Sequence, residues 1–196
     1  MKRKARPMAG FTLIELITVM VITGILSVLA ISHFFARETF DAKEYADQAK
    51  SIIRYAQKLA IAQNRPIYVS ATADRFAACT NPACGAGTLV AAPGGNNSGS
   101  STAQAQCNLA GNYVSTWLCE GRIANVTLAS SRATEAGGSG SYFAFDAVGR
   151  PYNNGDVLPA VGSPPASNFT QALVLTFSGS GVNYTVTVEP ETGYVH

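Results

Sequence analysis

Two hydrophobic periods divide this chain. From Phe11 to Phe35 apolar residues run almost without interruption, and Glu15 is the only formally charged side chain among these 25 positions. As a helix rising about 1.5 Å per residue, the stretch would span roughly 37 Å, enough to cross a bilayer. Beyond it, Phe40, Ala46, Ala49, Ile52, Ile53, Ala56, Leu59, Ala60 and Gln63 recur largely at steps of three and four, tracing one apolar stripe. Glu38, Asp41, Lys43, Glu44, Asp47, Lys50, Arg54 and Lys58 occupy the other faces. The pattern predicts one helix that changes solvent midway, apolar all round in its first half and amphipathic in its second. Arg65-Pro66 ends it, because proline disfavours helix in the residue before it.

After Pro66 the period shifts toward two. Ile67–Ala71, Tyr113–Leu118, Ile123–Leu128, Tyr142–Asp146, Leu173–Phe177 and Tyr184–Val188 read as strands, with Tyr194–Val195 as a short last one. Residues 85–106, rich in Gly, Ala, Ser and Asn, read as a long surface loop, and Pro151–Ser167 as a second. The expected fold class is α+β, a long N-terminal helix packed on the antiparallel sheets of a C-terminal head. Its expected parts are a basic leader at 1–10, a membrane or filament-core helix at 11–35, an amphipathic helix at 36–64 and the head at 65–196.

Charge sharpens this division. Lys2, Arg3, Lys4 and Arg6 precede the apolar run, with no acid before Glu15. An acid within a membrane segment costs about 2.5–3.5 kcal/mol at mid-bilayer, less near the end, and points by default to function. An ordinary secretory signal has an apolar region of about 7–15 residues and a small-residue cleavage site after it. Here the run is longer, carries an acid and ends Ser32-His33-Phe34-Phe35.

The order Gly10-Phe11-Thr12-Leu13-Ile14-Glu15 behind that basic leader resembles the type III signal of the type IV pilin superfamily. The resemblance implies cleavage after Gly10 by a prepilin peptidase and N-methylation of the new terminus, Phe11. It also implies that Glu15 pairs with the Phe11 amine of a neighbouring subunit during assembly. Ala49-Lys50-Ser51-Ile52-Ile53-Arg54-Tyr55-Ala56-Gln57-Lys58-Leu59-Ala60-Ile61-Ala62 is similar to the helix end of H-type pseudopilins and related minor pilins, including those of mannose-sensitive haemagglutinin-type pili. Phe145-Asp146-Ala147-Val148-Gly149-Arg150-Pro151 resembles their Phe-x-x-x-Gly-Arg-Pro turn, and Thr192-Gly193-Tyr194-Val195 their Thr-Gly-x-Val ending. Two family features are absent. Ala30-Ile31-Ser32-His33-Phe34 lacks the proline of the Ala-x-Pro-x-Phe arrangement, so its kink is not carried over. Gly193-Tyr194-Val195-His196 lacks the basic C-terminal motif of DNA-uptake relatives.

The implied role is an assembly subunit, a minor pilin or pseudopilin that initiates or caps the filament of a type IV pilus or type II secretion system. The alternatives are a major repeating pilin and a membrane-tethered adhesin or DNA-uptake receptor. Expected partners are the prepilin peptidase, other pilin or pseudopilin subunits, the inner-membrane assembly platform and the membrane itself. The expected location is a single pass of the inner membrane with the head in the periplasm, then a periplasmic or surface filament.

Without residues 1–10 the chain has ten basic against twelve acidic residues, and no Lys or Arg follows Arg150. Nucleic acid is therefore not an expected partner, since phosphate neutralisation needs a clustered basic footprint. The positive-inside rule keeps the leader cytoplasmic and puts Cys79, Cys84, Cys107 and Cys119 in an oxidising compartment. Of the three connectivities four cysteines allow, the local pairs Cys79–Cys84 and Cys107–Cys119 are preferred. Zinc is the alternative, poorly served by a Cys-x4-Cys and Cys-x11-Cys spacing with no nearby histidine. No enzyme activity, catalytic residue, metal or cofactor is expected: the only histidines are His33 and His196. Gly137-Gly138-Ser139-Gly140 lacks the Lys-Ser/Thr of a phosphate loop and reads as a turn. Trp117 and the Tyr/Phe pairs read as core.

Overall fold

The computed structural model describes residues 11–34, 37–95, 99–158 and 167–196, and at 28–34 and 37–39 the backbone alone. Two compact units are present, Met1–Arg37 and Glu38–His196. In the first, α1 spans Leu13–Phe34. The expected leader at 1–10 lies outside the described residues.

Helix α2 spans Arg37–Gln63, all but its first residue in the second unit. It ends because Asn64 takes a left-handed conformation, φ 49°, while the Arg65 N–H reaches back to the Ala60 carbonyl at 3.2 Å. That six-to-one bond is a Schellman ending, and Pro66 then prevents resumption. The stripe holds from Ala46 to Ala60: Ala46, Ala49, Ile52, Ile53, Ala56 and Ala60 are buried, joined by Ala42 and Tyr45. Its ends do not. Phe40 is 71% exposed and Gln63 is exposed, and Leu59 is only partly buried.

A five-stranded antiparallel sheet has the order β5-β2-β1-β7-β8, from Cys119–Gly121, Arg75–Cys79, Ile67–Ala71, Tyr142–Phe145 and Pro151–Tyr152. A three-stranded antiparallel sheet has the order β10-β9-β6, from Val182–Val188, Leu173–Gly179 and Thr127–Ser130. Asn108–Leu109 and Asn112–Tyr113 form the small ladder β3–β4. The strand period sorts side chains between faces. Ile67, Val69, Ala71, Phe76, Ala78, Phe143 and Phe145 point to one side of the large sheet, and Leu173, Leu175 and Phe177 to one side of the small sheet. Both sets join α2 in a single core, where Tyr45 meets Phe177 and Phe76 edge-on with ring centroids 5.3 and 5.9 Å apart. Fully burying an aliphatic or aromatic side chain of this kind stabilises by about 1.5–3 kcal/mol, so the α2 stripe is the seam of the fold.

Several expected strands moved. β2 and β8 fall where no strand is expected. The segment 113–118 contributes only Tyr113 to a ladder, and the strand forms at Cys119–Gly121 instead. There Arg75 pairs with Gly121 and Ala77 with Cys119. The strand expected at 123–128 begins at Thr127, because Leu128 must oppose Phe177 to share its face. The described residues of 85–106 hold more than a loop, and 96–98 lie outside the described residues. Leu89 and Ala91 bridge Cys79 and Trp117, and the short helix α3, Ser101–Gln106, is capped by Ser100 Oγ accepting from the Ala103 N–H. α3 lies so close to β5 that a Cβ on Gly121 would sit 2.7 Å from Ala103 Cα, so only glycine fits. Of the expected loop Pro151–Ser167, Pro151 and Tyr152 form β8, and residues 159–166 lie outside the described residues.

Candidate processing and assembly segment

Thr12 precedes helix α1 and caps it, its Oγ1 accepting the Glu15 N–H at 3.3 Å. Thr-x-x-Glu is the sequence of a capping box, and Glu15 also lies in the first turn, where the helix dipole favours an acid. Local physics thus accounts for an acid here, although a Gln at the same place would serve a cap.

The rest of the segment is turned outward. Leu13 is 78% exposed, Ile14 66%, Leu16 52% and Ile17 46%. Val19 at 54% and Ile22 at 56% fill the opposite arc, so with about 100° between successive residues exposed apolar positions cover every side of the helix. Its described hydroxyls are spent on its own backbone: Thr18 donates to Glu15 O at 2.9 Å, Thr23 to Val19 O at 2.8 Å, and Ser27 to Thr23 O at 2.7 Å. Among the described residues of this unit, the Glu15 carboxylate is the polar side-chain group left without a partner. Phe11, 82% exposed, lies one turn before it, and Gly10 lies outside the described residues. Among the described residues no helix is long and apolar enough to cross a membrane. The expected span at 11–35 runs past Ser27 into positions whose side chains are not described.

In the head, the three motifs read from the sequence meet at one point. Gln57 Nε2 donates to Gly149 O at 3.0 Å and to Thr192 O at 2.9 Å. Arg54 donates from Nε and Nη2 to Val195 O at 3.0 and 2.8 Å. One turn apart on α2, these two side chains tie down the Gly-Arg-Pro turn and the C-terminal segment together. The turn is built on buried Asp146, whose Oδ1 accepts the Val148 and Arg150 N–H groups at 2.9 and 2.8 Å. Beside it, the Tyr152 hydroxyl is pushed up to about 12 by burial and by the Asp146 carboxylate. The ending adds one bridge, Val188 with Val195, rather than a full strand. His196 meets Glu189 at 2.9 Å and stacks on Tyr194.

The disulfides are Cys79–Cys84 and Cys107–Cys119, with Cα separations of 5.3 and 5.8 Å. With Ala77 and Trp117 they form a second buried cluster on the outer face of the large sheet. Trp117 is a core residue: it donates from Nε1 to Ala78 O at 3.0 Å, and Arg75 lies over its ring at 4.9 Å. Folding also collects Lys50, Arg54 and Lys58 along one face of α2, a cluster that a count of charges does not reveal. Asp47 joins it, and Arg54 is spent on Val195.

The family whose description is prokaryotic N-terminal methylation motif matches residues 6–31. No curated protein matches the chain. Among solved structures, two crystal forms of the type IV minor pilin FimU of Pseudomonas aeruginosa are similar. The first has 14% identity over 81% of this chain and 89% of that one, with a TM-score of 0.44. The second has 12% identity over 79% and 90%, with a TM-score of 0.43. Likeness at this level bears no weight on function. The processing segment is another matter: over residues 6–31 this chain carries the prokaryotic N-terminal methylation motif, followed by an α+β head.

Proposed function

We propose that the protein is a minor subunit of a pilin-like filament, cleaved after Gly10 and methylated on Phe11. One observation carries the reading: among its described side chains, a helix apolar on every side spends its hydroxyls internally and leaves one carboxylate unspent. Such a helix needs an apolar surrounding, first a bilayer and then the packed helices of a filament. Within it an unpaired carboxylate is penalised, and the new α-amino group of a neighbour is the cation that cleavage creates. Because a buried ion pair contributes more to register than to net stability, Glu15 sets the axial stagger of subunits. Cleavage also removes four positive charges that would otherwise enter the apolar core.

Within this reading the subunit initiates or caps the fibre of a type IV pilus or type II secretion system. The major pilin is the second reading, and abundance in sheared filaments separates the two. The test is the mass of the N-terminal peptide from a host with prepilin peptidase. It should begin at Phe11 and carry one methyl group. An uncut leader, or cleavage near residue 30, refutes the reading.

A further inference from the structure

The outer face of the large sheet is only half covered. Over β2 and β5 lie the disulfide cluster and α3. Over β1 and β7 there is no such cover among the described residues, and Tyr68 and Tyr142 lie half-buried with their rings edge-on, 5.9 Å apart. Where the cover stops, a cleft of about 460 Å³ opens between the β1–β2 turn, the Cys79–Cys84 loop and residues 138–141. Small-molecule sites commonly occupy about 300–1,000 Å³.

Ser70 lines this cleft. The residue is only 7% exposed, yet its hydroxyl has no hydrogen-bond partner among the described residues. It lies directly across from Tyr142 in the β1–β7 register, on the face it shares with Tyr68. The other polar groups are largely spent. Thr72 Oγ1 accepts the Asp74 and Arg75 N–H groups, and Ser141 Oγ accepts from Gly138 and donates to Ala133 O. Both charges are answered within the protein. Asp74 faces Arg122 at 3.6 Å, while Arg75 donates to Gln106 O at 2.9 Å and covers Trp117.

An anionic ligand would find no unspent cation here. What remains is an unpartnered hydroxyl, the free lone pairs of the Asp74 carboxylate and the exposed Ser139, with Tyr142, across from Ser70 and next to Ser141, just beyond the lining. Those groups suit a molecule that alternates hydroxyls with a flat C–H face, because sugar hydroxyls pair with Ser and Asp oxygens while the ring face lies on an aromatic. We propose that the cleft binds a short neutral saccharide. The cleft lies wholly in the head and does not depend on the filament reading, so failure of either leaves the other standing.

The test is saturation-transfer-difference NMR of the mature full chain in detergent micelles. Three probes are compared, maltotriose, the trimer of N-acetylglucosamine and trigalacturonate, each titrated to about 10 mM, where a millimolar site is mostly filled. One of the neutral trimers should bind and the acidic one should not. Preference for the N-acetylated trimer would indicate a cell-envelope glycan as the source, and preference for maltotriose a free polysaccharide. Ser70→Ala should weaken binding about fivefold to tenfold, the loss of one neutral hydrogen bond. Asp74→Asn and Ser139→Trp, both at exposed positions, test the rim and block the opening without touching the core, and Ser139→Trp should abolish binding. Circular dichroism and intact disulfides confirm that each variant is folded. No binding of either neutral trimer, binding of trigalacturonate alone, or binding untouched by Ser139→Trp overturns the proposal.

Discussion

Gly193 is where the three head motifs are most tightly joined, and replacing it tests that junction. Its φ is +62°, in the left-handed region where a non-glycine residue costs about 1–2 kcal/mol. A Cβ would lie 2.7 Å from Gln57 Nε2 and 2.9 Å from Phe145 Cε1, and closer still to Gly149 O. Gln57 cannot retreat without releasing the Gly149 and Thr192 carbonyls, and Phe145 is fully buried. Overpacking of this sort costs about 1–3 kcal/mol. Gly193→Ala should therefore destabilise the head by roughly 2–5 kcal/mol, a large part of the 5–15 kcal/mol typical of a domain. The assay is urea unfolding of the mature chain in detergent, followed by the fluorescence of Trp117, the single tryptophan. Gln57→Ala alone should cost about 1–3 kcal/mol through the two orphaned carbonyls. The double variant should cost clearly less than the sum, because the first change has already displaced the Gln57 amide. A Gly193→Ala cost below about 1 kcal/mol, or strict additivity, would refute the junction.

Glu15→Ala and Glu15→Gln should both be cleaved and retained in the membrane yet fail to support filament output in a complementation assay; normal output at equal abundance would remove Glu15 as the register group. Thiol labelling of the denatured, unreduced protein should give no signal. Replacing Cys107 and Cys119 by Ser should cost about 3 kcal/mol in the chain-entropy model, read as a lower urea midpoint. The Tyr45 hydroxyl is buried without a partner, so Tyr45→Phe should be neutral or stabilise by about 1 kcal/mol. Burial and nearby Glu120 raise the Tyr45 pKa. Its ionisation is therefore easier in the unfolded chain, and stability held below the ordinary tyrosine range should fall as pH rises above about 10. In Tyr45→Phe that alkaline loss should shrink, measured by urea midpoints at pH 8 and above.

What the chain determines locally was legible without coordinates. The order of Gly10 to Glu15, the unbroken apolar run and the α2 stripe are patterns whose physics is set within a turn or two of helix. Opposite facing of Tyr142 and Phe143 follows from strand period alone. The disulfides close short loops, and local pairs were the natural preference. Position in the tertiary structure decided the rest. β2, Arg-Phe-Ala-Ala-Cys, has little intrinsic strand signal and becomes a strand because β1 and β5 pair with its two edges. Phe40 fits the stripe by period, but the buried part of the stripe begins only at Ala42. The meeting of Arg54 and Gln57 with Gly149, Thr192 and Val195 joins residues 92 to 141 positions apart. No period or spacing reports such a contact, because it exists only when α2, the turn and the C-terminus pack around one core. The Ser70 cleft has the same origin: a serine in a strand pattern reads as a surface residue until the disulfide segment covers half of its sheet and stops beside it.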